Sequence, residues 1–343
     1  MKTRNLFISK STLIMILISL LVSSVFIGCS KKDSTDPTPT SQPFSNTGDD
    51  STTRIIASIP RIELSKVKST GVTLYLSVTD QKGHPFPNFN QYNFVIKQVC
   101  IGRTDTAVVT SLGFQKMNQS GQNIATPLVL DYSGSMSSYL ADLEQAAAKF
   151  ITIKNKNDQA ELIKFSSSIE NVQPFTKDTT ALLTALIASW PGSGGSTALY
   201  DAMMMGIDDA DLFSSQQSST YLPAIIGFTD GINNASSSTS QDVIDNAIAK
   251  QIPVYMLGFG GADSVSLSSI ANQTGGRYYY TPDMSTLQSL FSMISGQLKN
   301  IYLASWVYSS TCTEVMIIVE ASYTCGKGTF YSRTEKIFIP LIK

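Results

Sequence analysis

The hydrophobic period changes twice along the chain. In GVTLYLSVTD (71–80), Val72, Leu74, Leu76 and Val78 alternate with Thr73, Tyr75, Ser77 and Thr79. A period of two predicts a half-buried strand. DQKG (80–83) reads as a turn and YNFVIKQV (92–99) as a further strand. At Thr126 the pattern switches. The short apolar runs PLVLD, AELIKF, PAIIGFTD, IPVYMLGFG and RYYYT now alternate with helical stretches around 139–153, 198–213, 240–250, 264–273 and 283–300. Continuous apolar strands separated by helices predict an α/β fold with a doubly wound, mostly parallel sheet covered on both faces. After Asn300 the β pattern returns in YLASWVY, EVMIIVEASY and EKIFIPLI, with Val315, Ile317, Val319, Ala321 and Tyr323 on one face.

Neither β segment is large, and two- or three-stranded sheets are marginal alone. The expected organisation is therefore one β-sandwich built from 55–121 and 301–343, with the α/β domain of 122–300 inserted in it. Insertion is compatible with the proximity of domain termini. Two separate β appendages would leave long strand edges unpaired.

The N-terminus carries different signals. Lys2, Arg4 and Lys10 precede an apolar stretch from Leu13 to Ile27, followed by Gly28 and Cys29. The stretch is shorter than the ~20 residues of a spanning helix and suits a signal peptide. Phe26-Ile27-Gly28-Cys29 resembles a bacterial lipobox, with Phe26 where that motif prefers Leu. The resemblance implies a signal over 1–28, cleavage before Cys29 and lipidation of Cys29. An uncleaved anchor or an ordinary signal is the alternative. The Ser-, Thr-, Pro- and Asp-rich segment SKKDSTDPTPTSQPFSNTGDDSTTR has too little apolar content to fold, so 29–54 is expected to be a disordered tether. The chain is accordingly expected to be an exported, membrane-anchored lipoprotein, periplasmic or on the cell surface. Ser30 and Lys31-Lys32-Asp33 favour the outer membrane by resemblance.

Composition narrows the chemistry. The 343 residues carry a net charge of −1 and no Lys/Arg cluster, which sets nucleic acid aside. One histidine, His84, leaves little room for His-dependent catalysis or a zinc site. Export makes disulfides possible for Cys100, Cys312 and Cys325, an odd set that leaves one thiol over. Cys312 and Cys325 flank a predicted strand, which would hold them beyond the ~7 Å Cα limit for a bridge, so a pair using Cys100 is expected.

The candidate chemistry lies at strand ends. In an open α/β sheet, ligands bind beyond the carboxyl ends of the strands. Asp131 ends PLVLD, Asp230 ends PAIIGFTD, and between them comes the glycine-rich GSGGSTALYDA (192–202) with Thr197. Ser133 and Ser135 follow Asp131 at alternate positions around Gly134. Two carboxylates and three hydroxyls make an all-oxygen set, which selects hard cations: Mg²⁺ first, with Mn²⁺ or Ca²⁺ as alternatives. DYSGSM, GGSTALYDA and FTDG resemble the three loops of the von Willebrand factor A (VWA) domain, and the resemblance spans about 126–300. It implies a Rossmann-like fold and a metal-ion-dependent adhesion site (MIDAS), DxSxS…T…D, filled by Asp131, Ser133, Ser135, Thr197 and Asp230. By that resemblance the three hydroxyls coordinate directly, the two Asp directly or through water, and a partner's Glu or Asp completes the shell. VTDQKGHPFPNF is similar to the Ig-like layer that precedes such domains in bacterial lipoproteins.

Taken singly, these residues have blander roles. Asp131, Ser133, Ser135 and Thr197 could each cap a helix or a turn. Asp201 is expected to favour its helix N-terminus, and Met203, Met204 and Met205 to pack their helix. Trp190 could pack or touch a partner, and no function is assigned to His84. The expectation is a non-catalytic module that binds a protein partner, sits at the membrane through its anchor and takes no small-molecule substrate. Loops 136–139, 190–196, 233–240 and 260–265 would choose the partner. One alternative is a Mg²⁺-dependent phosphatase with Asp131 as nucleophile, although Ser133 stands where such an enzyme needs its acid. Another is a structural or assembly subunit with an unused metal site.

Overall fold

The computed structural model describes residues 42–46, 51–64, 71–103, 106–217, 221–308 and 312–339. The expected signal, Cys29 and most of the expected tether lie outside these residues.

The N-terminal β region comprises β1 (Ser45–Asn46), β2 (Ile55–Leu64), β3 (Gly71–Asp80), β4 (Phe94–Cys100), β5 (Thr106–Val108) and β6 (Gly113–Lys116). The inserted region runs β7 (Asn123–Asp131), α1 (Leu140–Ile153), β8 (Gln159–Phe165), β9 (Ile169–Thr176), α2 (Thr179–Ile187), α3 (Leu199–Gln216), β10 (Tyr221–Pro223), β11 (Ile225–Thr229), α4 (Ser240–Lys250), β12 (Val254–Phe259), α5 (Ser264–Thr274), β13 (Tyr278–Thr281) and α6 (Leu287–Lys299). β14 (Tyr302–Val307), β15 (Val315–Cys325) and β16 (Gly328–Phe338) return to the β region.

The two β segments do combine. One sheet has the order β1-β15-β4-β5, with β16 on β15, and the other has the order β2-β3-β14-β6. Their inner faces share one core, in which Val72, Leu74, Leu76 and Val78 meet Val315, Ile317, Val319, Ala321 and Tyr323. These core residues fall at every second position of β3 and β15, as the period of two requires. The insert leaves from β6 and returns to β14, and these strands pair with Tyr302 opposite Lys116. Entry and exit therefore lie side by side. Cys100 and Cys312 form a disulfide with a Cα–Cα distance of 5.6 Å, and Cys325 is a buried free thiol. The end of the expected tether is part of this fold. Ser45–Asn46 pair in parallel with Thr324–Cys325, Phe44 stacks on Tyr323, and Thr52 is buried.

The inserted sheet has the order β13-β12-β11-β7-β8-β9, with β10 also on β7. All its pairings are parallel except that of β9 with β8. Alternate side chains enter opposite layers. Leu128 and Leu130 pack with α1, α2 and α6, whereas Val129 packs with α3, α4 and α5. This two-sided burial is why the strands read as unbroken apolar runs. Met203 packs on the sheet at Gly227, where a Cβ would lie 2.8 Å from its sulfur.

β9 and α2 were not among the expected elements. β9 (IENVQPFT) is a partly exposed edge strand whose register shifts twice against β8, so it lacks a clean period. α2 is short, and it starts where Asp178 accepts from the Thr180 and Ala181 amides. Among the described residues no helix is long and apolar enough to cross a membrane.

The α/β and β regions share an apolar cluster, in which Tyr75, Met117 and Leu303 join residues of α6, and they also touch through polar contacts. Arg277, just before β13, donates to Thr79 and to the carbonyls of Asp80 (3.3 Å) and Gln81 (3.1 Å), and Gln297 of α6 donates to the Gly83 carbonyl at 2.6 Å.

Candidate metal centre

Strand order fixes where the site lies. From β7 the chain builds outward to β8 on one side and to β11 on the other, so the direction of winding reverses between β7 and β11. A crevice forms at such a switch point, beyond the strand ends. The register Phe228↔Leu130 sets Thr229 beside Asp131. The Thr229 hydroxyl donates to Asp131 Oδ2 at 2.6 Å, and the Ser133 amide donates to Asp131 Oδ1 at 2.8 Å.

The expected residues meet above this pair. Ser133 Oγ lies 3.2 Å from Ser135 Oγ, and Ser135 Oγ donates to Asp230 Oδ1 at 2.7 Å. Thr197 approaches the cluster from the second loop. A Cβ on Gly231 would lie 3.6 Å from Thr197 Oγ1 and 4.0 Å from Ser135 Oγ. Asp131, Ser133, Thr197 and Asp230 are buried, while Ser135 is exposed. Thr197 does not cap a helix, since α3 begins at Leu199 with Ala198 as its cap residue.

The loops are held by cross-links that the sequence reading did not name. Gly134 N donates to Gly195 O at 3.0 Å, and Gly194 N donates to Tyr132 O at 2.7 Å. Gly194 and Gly195 have φ of 95° and 82°, a conformation that favours glycine. Asn234 grips Thr197 from both sides. Its Oδ1 accepts from Thr197 N at 2.8 Å, and its own amide donates to Thr197 O at 3.0 Å. Asp201 accepts from the Ser237 and Ser238 amides, both at 2.8 Å, so it ties down the third loop besides lying in the first turn of α3. Trp190 is buried edge-on against Tyr132, and its indole donates to Glu170 at 2.6 Å, which makes it a packing residue. Beneath them, buried Lys164 donates to the Leu186 and Ala188 carbonyls at 2.8 and 2.9 Å and lies 4.6 Å from the Tyr132 ring centre. Of these residues, Thr229 was the most accessible from sequence, because it directly precedes Asp230 in FTDG.

Burial pushes the Asp131 carboxyl above its usual range, against the bonds from Thr229 and Ser133, and the Asp230 charge adds to the rise. Burial also raises Asp230, against its bond from Ser135. Two buried carboxylates that repel each other, with hydroxyls converging on them, suit a hard cation. Among the described residues no group of three or more His, Cys, Asp or Glu could hold a metal, so the fit here depends on Ser133, Ser135 and Thr197. His84 lies in a turn of the β region, with Nδ1 3.0 Å from Asp80 Oδ2.

A doubly wound sheet with oxygen-bearing side chains clustered at its switch point defines a class of α/β domains whose ligands meet the strand ends. Residues 127–293 match the family model of the von Willebrand factor type A domain, and the segment has the α/β fold of that family. Domains of this family generally bind a divalent metal and mediate protein–protein contact. Among curated proteins no match is found. Several solved structures are similar. A von Willebrand factor type A protein from Catenulispora acidiphila is 10% identical, with 88% of this chain and 75% of that chain covered and a TM-score of 0.46. The ArnB paralog VWA2 from Sulfolobus acidocaldarius is 13% identical, with 83% and 74% covered and a TM-score of 0.42. Proximal thread matrix protein 1 from the mussel byssus, with a zinc-occupied MIDAS motif, is 18% identical, with 51% and 47% covered and a TM-score of 0.44. This chain spans about half the length of the mussel protein.

Proposed function

We infer that this chain is a lipid-anchored cell-envelope protein that binds a protein partner through a divalent ion at the rim and catalyses no reaction. The observation that carries this reading is the convergence of Asp131, Ser133, Ser135 and Asp230 in one hydrogen-bonded cluster, with Thr197 beside it. These residues would hold the ion, with Mg²⁺ the first choice for so hard a donor set. When bound, the ion supplies an electrophilic position for a carboxylate from outside. Asp131 is fixed by Thr229 and Ser133, and Thr197 by Asn234, so the donors are oriented before any ligand arrives. Ser133 in the place of a general acid argues against phosphoryl transfer. Attachment through Cys29, export and an outer-membrane location rest on the N-terminal sequence.

The test is a calorimetric titration of Mn²⁺ into the full chain and its Asp131→Ala variant, joined to pull-down from membrane extracts with and without EDTA. The reading expects metal binding lost in the variant and partner capture lost in EDTA. Metal-dependent phosphatase or esterase turnover that disappears in Asp131→Ala would replace it with an enzyme.

A further inference from the structure

The loops at the carboxyl rim have an unusual charge balance. Residues 132–139, 166–168, 188–198, 230–239, 260–263 and 282–286 contain no Lys, Arg or His. Their charged side chains are Asp230, Asp263 and Asp283, and Asp131 lies at the strand end beneath. Hydrogen bonds from Ser266 hold Asp263, and bonds from Ser285 hold Asp283, below the usual carboxylate range. Four carboxylates against one divalent ion leave the rim negative.

Apolar groups stand exposed beside the cluster. Ile232, two residues past Asp230, is 62% exposed, Tyr139 37% and Tyr280 48%. The Tyr139 ring packs edge-on against Phe259 at 4.8 Å. The Tyr280 hydroxyl donates to the Gly260 carbonyl at 3.1 Å, and a Cβ on Gly260 would lie 3.9 Å from the Asp230 carbonyl. Both tyrosines therefore flank the strand end next to Asp230. Rigid aromatic and aliphatic anchors among Ser, Gly and Asn are the composition of an adaptable recognition surface.

We propose that the rim selects a protein segment presenting one isolated carboxylate, flanked by an apolar side chain that packs on Ile232 and Tyr139 and by basic rather than acidic neighbours; this rests on the metal-bound reading above. The ion accepts a single carboxylate. With no Lys or Arg on the rim, every further acid on the partner meets like charge, whereas Lys or Arg there meets Asp263 or Asp283. Specificity thus comes from repulsion of acidic runs as much as from the ion.

The experiment is selection of a displayed random heptapeptide library on the full chain in Mn²⁺, with elution by EDTA. The expected peptides carry one Asp or Glu, an adjacent apolar residue and zero or positive net charge. Their binding should fall about tenfold in Ile232→Ser, as for loss of a buried anchor. The joint variant Asp263→Asn with Asp283→Asn should admit peptides with two or more acids. Enrichment of acidic runs, equal binding to Ile232→Ser, or no enrichment in Mn²⁺ overturns the proposal while leaving metal binding by the chain to be read separately in the titration. Peptides retained equally by Asp131→Ala would overturn the metal-bound reading itself.

Discussion

Two of the places where the α/β domain buries acids differ in what surrounds them. At the rim, Asp131 and Asp230 meet three hydroxyls drawn from separate loops. In the middle of β8, Glu161 is 2% exposed and faces Asp209 of α3 across Asn171. The Asn171 amide donates to Glu161 at 3.0 Å and to Asp209 at 3.2 Å. Glu161 Oε1 and Asn171 Oδ1 are buried without a hydrogen-bond partner. Burial first, and the Asp209 charge second, push the Glu161 carboxyl up to about 8, against the bond from Asn171. Both clusters face the same desolvation, and the mid-sheet one meets it with a proton, since a single amide cannot complete a cation's shell. The rim has three hydroxyls and is open to the outside at Ser135, so a metal ion can do there what a proton does in the sheet.

The sharpest way to break this contrast is Asp131→Ala. Metal affinity should fall more than ~100-fold in calorimetry, with the far-UV circular dichroism unchanged, because Asp131 ends β7 and its side chain bonds to Thr229 and Ser133 at the rim. Retained affinity would make the rim an ordinary acidic cluster. The next effect belongs to Glu161. The folded chain holds a proton that the unfolded chain releases above the ordinary value of 4.5. Its contribution to stability is therefore present below about 4.5 and is lost as the pH rises through about 8. Glu161→Gln should abolish that loss and gain on the order of a few kcal/mol at pH 8 in urea denaturation, with metal affinity unchanged. A wild-type stability that rises over this interval would contradict the assignment.

Smaller effects sharpen the comparison. Asn234→Ala should weaken Mn²⁺ binding about tenfold by loosening Thr197, as is common when a residue orienting a ligand is removed. In a Thr197→Val background the same change should add nothing, and an additive loss would show that Asn234 acts elsewhere. Asp209→Asn removes the charge that adds to the rise at Glu161, together with the raised titration of Asp209 itself, so it should shrink the loss of stability without erasing it. Denaturation at pH 5 and 8 reads that difference.

The sequence carried the α/β order because strands buried on both faces are apolar throughout, as PLVLD and IPVYMLGF are. That Asp131 and Asp230 share a rim was legible from the strand ends, and the convergence of all five residues from a resemblance of loops. What puts Thr229 against Asp131 is strand register, and no local pattern encodes which strands become neighbours. β9 was hidden for a related reason, because a polar edge strand with register shifts loses its period. Phe44 and Ser45–Asn46 look like tether in the sequence because a short apolar anchor is invisible within a Ser/Thr/Pro-rich stretch. Asn234 carried no signal of its own, since its role depends on two loops meeting.

The bridge between Cys100 and Cys312 spans 212 positions and encloses the whole α/β insert in a covalent ring. A protease that nicked any rim loop would leave both halves in one molecule until a reductant opened the ring. Cleaved and intact chains would then weigh the same, apart from one added water, and would separate only on a reducing gel.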